Sequence, residues 1–219
     1  MLRQKLMAEF LGSVMLVATV VGSGIMAEQL AEGQMALALL ANAIATGAIL
    51  FVIISIFGPV SGAHFNPVVT TIMLVMRTIK RHEAALYILV QTAGGIAGSW
   101  LVHIMFDMPI LQFSDHMRSG LPQYFSEIIA SFGLMLTILL GLSYNRQAIA
   151  PLVALYITAA YWFTASTSFA NPAVTIARTF SDSFAGIHYS DVLPFIIAQF
   201  IGGFTALWVA RLISAERPD

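Results

Sequence analysis

Two short stretches decide how this chain folds: Ser61-Gly62-Ala63-His64-Phe65-Asn66-Pro67-Val68-Val69-Thr70 and Ala170-Asn171-Pro172-Ala173-Val174-Thr175. Asn is a preferred helix N-cap, because its side-chain oxygen accepts an orphan amide hydrogen. Pro at the first helical position gives up no needed donor and has its φ preset. Each Asn-Pro therefore reads as the start of a helix. The apolar segments that follow, Asn66 to Met76 and Asn171 to Phe180, run about ten residues, or about 15 Å at 1.5 Å per residue. That is half the hydrocarbon thickness of a bilayer, so neither crosses alone.

The solvent for the rest of the chain is lipid. Of 219 residues 58% are hydrophobic and only 10% charged, far from the balance of a soluble domain. Apolar runs between polar breaks give six candidate spans, at 6–27, 36–57, 84–106, 124–143, 150–167 and 192–213. The first follows a charged start, Met1 to Lys5, but exceeds a signal-peptide core and lacks a small-residue cleavage site, so it is kept as a span. Net charge is −1 with scattered basic residues, which leaves no footprint for nucleic acid. With no cysteine there is no disulfide framework or thiolate site. His82, His103, His116 and His188 lack metal-ligand spacing, so neither a metal nor a cofactor is expected.

Three signatures recur in one order. Ala8-Glu9-Phe10-Leu11-Gly12-Ser13 opens the first span and Ser126-Glu127-Ile128-Ile129-Ala130-Ser131 the fourth; the Asn-Pro stretches follow; Gln91-Thr92-Ala93-Gly94-Gly95 in the third span matches Gln199-Phe200-Ile201-Gly202-Gly203 in the sixth. One domain, 1–219, thus contains repeats at about 6–106 and 124–213. An odd number of spans per repeat inverts the second copy, and sites in such folds lie at the midplane between repeats. A lone Asn-Pro is an ordinary turn. Two copies at matching places, each after a full span and before a half-length one, are a pore element.

Lys and Arg in short loops orient the bundle. Arg3, Lys5, Arg77, Lys80, Arg81, Arg146, Arg211 and Arg217 fall on one side, Arg118 and Arg178 on the other. This split of 8 to 2 predicts cytoplasmic termini. The two half-helix N-termini meeting at the midplane repel cations, and the amide NH₂ groups of Asn66 and Asn171 are expected to face a lumen that passes neutral solutes.

On these motifs the chain resembles the aquaporin and aquaglyceroporin (major intrinsic protein) family over essentially its whole length. The resemblance implies an all-α membrane protein of six transmembrane helices and two re-entrant half-helices, one pore per subunit, a homotetramer in lipid and, for this member, a bacterial inner membrane. It implies no enzyme activity. Residues 66–68 (Asn66, Pro67, Val68) and 171–173 (Asn171, Pro172, Ala173) take the motif positions. The family usually has Arg after the second motif, where this chain has Val174. Counting from the motifs places the constriction at Thr46, Ala159, Ser168 and Val174, a small and weakly polar set that predicts a wide hole. Arg178, one turn beyond Val174, either lines the outer mouth or pairs with a residue such as Asp182. His64 is a candidate for the cytoplasmic vestibule, while Glu9, Glu127, Gln91 and Gln199 read as buried supports of the re-entrant loops. The expected cargo is small neutral solutes: metalloid hydroxides such as arsenite, glycerol, urea, and water. The alternatives are a water-selective pore and a gradient-coupled secondary transporter.

Overall fold

A computed structural model describes residues 1–214; Arg217, counted above for orientation, lies outside the described residues. Eight α-helices form among them: α1 (Leu2–Leu30), α2 (Met35–Ser61), α3 (Pro67–Val75), α4 (Arg81–Met105), α5 (Leu121–Tyr144), α6 (Ile149–Phe163), α7 (Pro172–Arg178) and α8 (Tyr189–Ser214). A single 3₁₀ turn, Arg146–Ala148, leads into α6. Five helices, α1, α2, α4, α5 and α8, are long and apolar enough to cross a membrane. The sixth, α6, has 15 residues and spans about 22 Å. It stops short of the expected 167 because Thr164 to Ser168 leave the helix. Thr164 adopts an extended backbone while its hydroxyl bonds back to Ala160 O, the local competition by which short polar side chains end helices.

The polarity is inside out. Leu89, Leu155 and Trp208 are exposed, whereas Glu9, Gln91, Glu127 and Gln199 are fully buried. With no water to compete on its outer face, the bundle gains specificity from close backbone approach and interior hydrogen bonds. α1 packs on α2 and α4, α5 packs on α6 and α8, and α2 meets α6 between the halves. Gly98 lets α4 touch α1: a Cβ there would sit 2.6 Å from Val14 O. Gly202 does the same for α8 on α5, where a Cβ would meet Ile128 O at 2.2 Å. The short helices α3 and α7 are each held by the last helix of both halves, α4 and α8 in turn. Their N-termini therefore converge in the centre of the bundle.

Candidate functional site

Both half-helices are capped as their residues dictate. Asn66 Oδ1 accepts from Val68 N at 2.9 Å, and Asn171 Oδ1 accepts from Ala173 N at 3.0 Å and Val174 N at 3.3 Å. The amides are not wholly free, as the sequence had suggested. Asn66 Nδ2 donates to Ala170 O at 2.8 Å and Asn171 Nδ2 to Phe65 O at 2.7 Å, so one hydrogen of each NH₂ welds the two loops and the other remains for the lumen. Pro67, Val68, Pro172 and Ala173 are buried but do not line the cavity.

The loop backbones that present those carbonyls are strained. Phe65 (φ 47°), Ala63 (51°), Ala170 (48°) and Ser168 (52°) sit in the left-handed region, at about 1–2 kcal/mol each for a residue with a Cβ. A buried carboxylate holds each loop. Glu9 Oε1 accepts from Ser61 Oγ (2.6 Å) and His64 N (3.0 Å), and Oε2 from Phe65 N and Gln91 Nε2 (both 2.8 Å). In the other half Glu127 Oε1 accepts from Ser166 Oγ (2.6 Å) and Phe169 N (2.9 Å), and Oε2 from Ala170 N (2.8 Å) and Gln199 Nε2 (2.6 Å). Gln91 and Gln199 also donate to Thr70 and Thr175 on the half-helices, each at 2.9 Å. Ser61 and Ser166 had no assigned role in the sequence, although each lies five residues before its Asn.

A cavity of about 340 Å³ runs through the bundle past both Asn side chains. Lys5, Thr78 and Arg146 line one end, Ser168, Phe169, Val174 and Arg178 the other, and Leu, Ile and Val are the commonest residues of its walls. His64 lines it near the basic end, its Nδ1 3.1 Å from Thr70 Oγ1 and its ring edge-on to Tyr87. No Asp or Glu is among its lining residues, and no group of three His, Asp or Glu able to hold a metal occurs among the described residues.

The cavity lining includes three of the four residues counted out along the chain. Thr46, Ser168 and Val174 line the cavity, but Ala159 does not; it is exposed on the outside of α6. The lining residues of α6 are Ile149, Val153, Ile157 and Tyr161, spaced by four. At about 100° per residue, Ala159 lies two steps, about 200°, from either neighbour and so faces away. Tyr161 lines the cavity from this helix instead, 3% exposed. Its hydroxyl is 3.1 Å from Thr46 Oγ1, which itself donates to Asn42 O at 2.8 Å. Thr46 has one proton; Tyr161 must be the donor to it, leaving oxygen lone pairs toward the lumen. Ser168 Oγ is buried without a partner among the described residues and keeps both donor and acceptor capacity.

Arg178 is 2% exposed and lines the same end. Its Cζ stands 3.5 Å from the Phe169 ring centroid, and its Nε donates to Ala185 O. Asp182 is not its partner: that carboxylate accepts from Asp115 N, and the single ion pair among the described residues is Lys5–Glu83 at 4.0 Å. The guanidinium charge is balanced instead by the ring face, by a carbonyl and by the C-terminal end of α7, where a helix favours a cation. Its terminal amino groups have no hydrogen-bond partner among the described residues and remain as donors.

A lipid-facing helical bundle with two half-helices abutting at its midplane, and one carboxylate-free cavity through that junction, is an integral membrane channel of the inverted-repeat class. The chain matches the family described as Major intrinsic protein over residues 1–170. It is 52% identical over 218 residues to Aquaglyceroporin AqpS of Rhizobium meliloti (strain 1021), covering 99% of this chain and 93% of that one. Over 227 residues it is 30% identical to Glycerol uptake facilitator protein-like 6 of Lactiplantibacillus plantarum, covering 97% and 99%. The X-ray structure of the aquaglyceroporin from Plasmodium falciparum superposes with a TM-score of 0.77 at 18% identity, covering 98% of each chain. The protein belongs to the major intrinsic protein family: it is a passive channel for water and small solutes, not an enzyme.

Proposed function

We propose that this channel conducts small polyhydroxylated neutral solutes, with glycerol, urea and metalloid hydroxides such as arsenite as its cargo class and water as a passenger. The observation that carries this reading is the composition of the outer constriction. Arg178 and Ser168 offer donors, Tyr161 and Thr46 offer lone pairs, and the Tyr161 and Phe169 rings and Val174 give apolar wall. A solute with several hydroxyls exchanges its hydration shell for that set. The two relatives named for aquaglyceroporin and glycerol-facilitator activity support the same class.

In this reading Arg178 takes over, one helical turn further out, the charge barrier that Val174 lacks, and the half-helix N-termini add a second barrier to cations at Asn66 and Asn171. Lys5 and Arg146 at the opposite end of the cavity from Arg178 support an orientation with the basic end cytoplasmic. The exposed apolar exterior and the family membership support a homotetramer in a bacterial inner membrane, with one pore per subunit.

Stopped-flow flux into proteoliposomes, one solute at a time, tests the cargo. Glycerol, urea and arsenous acid are expected to enter with water. A protein that passes water and none of the three is a water-selective pore; saturable flux that follows an ion gradient makes it a secondary transporter.

A further inference from the structure

The side chain of Arg178 leaves the last residue of a seven-residue helix and has four rotatable bonds, so its place at the mouth must be fixed from outside the helix. The fixing partner is a main-chain carbonyl, Ala185 O, in the segment between α7 and α8. That carbonyl is one of three in a row taken by arginines from two directions. Arg118 donates through Nε to Gly186 O at 2.8 Å and through an Nη to Phe184 O at 3.2 Å, so its planar fork grips the carbonyls on either side of the one that holds Arg178. Both guanidiniums share the Phe169 ring, Arg118 Cζ being 5.0 Å from its centroid.

Arg118 is itself anchored. Its main-chain N donates to Asp191 Oδ2 at 2.7 Å, and the next residue, Ser119, donates through Oγ to Asp191 Oδ1 at 2.6 Å. Asp191 therefore ties the α4–α5 connection to the first turn of α8 without pairing with the guanidinium. The gripped segment has little room to shift: a Cβ on Gly186 would lie 2.2 Å from Ser114 Oγ and 2.5 Å from Ser181 O. Arg118 is 9% exposed, and burial draws its guanidinium down to about 10, with Glu127, Tyr161 and Asp191 opposing, so it remains charged at neutral pH. A buried cation beside another, with no carboxylate in ion-pair reach among the described residues, is costly to keep. A bare loop staple needs no such charge; a neutral amide would make one of the two bonds.

We infer that Arg118 is a positioning residue for the outer constriction: by gripping Phe184 O and Gly186 O it sets Ala185 O, and through it the Arg178 guanidinium that discriminates between solutes. The inference rests on the reading of Arg178 as the filter cation. Arg118 acts at one remove and does not line the cavity, which separates it from the constriction residues.

The test uses the full chain in proteoliposomes, with glycerol and water permeabilities measured for wild type, R118Q, R118K, R178Q and R118Q/R178Q. R118Q is expected to lower the glycerol-to-water ratio about fivefold, the effect of one misplaced solute hydrogen bond. R118K, reaching one carbonyl instead of two, is expected to restore part of it. The double variant should be no worse than R178Q alone, because residues acting in series do not add. A wild-type ratio in folded R118Q alongside an altered R178Q overturns the inference and leaves the filter reading intact, and so does additivity of the two substitutions. An unchanged R178Q removes the filter reading and the inference with it. If R118Q does not fold, D191N, which loosens the Arg118 anchor, must shift the ratio in the same direction; an unshifted ratio overturns the inference equally.

Discussion

Tyr161 donates its hydroxyl proton to Thr46 Oγ1 across 3.1 Å, joining α6 to α2 at the wall of the cavity. Because Thr46 has already given its own proton to Asn42 O, the pair shows the lumen oxygen lone pairs only. Opposite in character stand Arg178 and Ser168, which supply hydrogens. A solute hydroxyl is satisfied there whichever way it turns.

Tyr161→Phe keeps the ring and removes the acceptor. Glycerol permeability is expected to fall about fivefold, the usual value of one neutral hydrogen bond at the limiting barrier, while water permeability is retained. Light-scattering flux on the purified variant checks this; unchanged glycerol permeability would mean that the ring, not the hydroxyl, matters, and equal loss of both would mean that the hydroxyl holds the pore wall together without selecting the solute.

Val174→Arg puts a long cationic side chain into a lumen that already holds Arg178. Polyol and urea flux are expected to drop by about tenfold or more as the hole narrows, with water least affected. Unchanged glycerol flux would show that position 174 is not at the limiting width, even though Val174 lines the cavity.

Ala159→Leu is expected to leave flux and selectivity at wild-type values, since Ala159 is exposed on the lipid side of α6. The same solute panel decides it. A changed glycerol-to-urea ratio would return position 159 to the constriction and displace Tyr161 from it.

Glu9→Gln and Glu127→Gln each replace an acceptor of four hydrogen bonds with a group that turns an NH₂ toward some of the same donors. Each is expected to destabilise the channel by on the order of 3 kcal/mol, seen as a lower detergent-unfolding midpoint, with flux lost in the variant that still folds. The near-identical networks predict similar losses for the two. A variant of wild-type stability would make that carboxylate dispensable to its loop.

The bundle was legible because membrane depth permits few solutions. Asn66-Pro67 and Asn171-Pro172 name a helix start at a place where only a re-entrant turn works, and the paired Glu9/Glu127 and Gln91/Gln199 gave the inversion. What failed was counting across a helix end. Ala159 is twelve residues before Asn171, but that count reaches the lumen only in a chain whose α6 runs straight into its loop; here Thr164 to Ser168 leave the helix, and Tyr161 lines the cavity instead. Its alignment with Val153 and Ile157 at four-residue spacing was on view in the chain and points to the right face. Arg178 and Arg118 are different. Their directions depend on three carbonyls at 184–186, and no local pattern in a sequence reports where a loop's oxygens aim.

The reciprocal bonds from Asn66 to Ala170 O and from Asn171 to Phe65 O have a kinetic corollary. Neither loop can open without breaking the other's tie, so the amides of Phe65, Val68, Ala170 and Ala173 belong to one opening unit. In a hydrogen–deuterium exchange experiment they should lose protection together, at a single rate, although half the chain separates them.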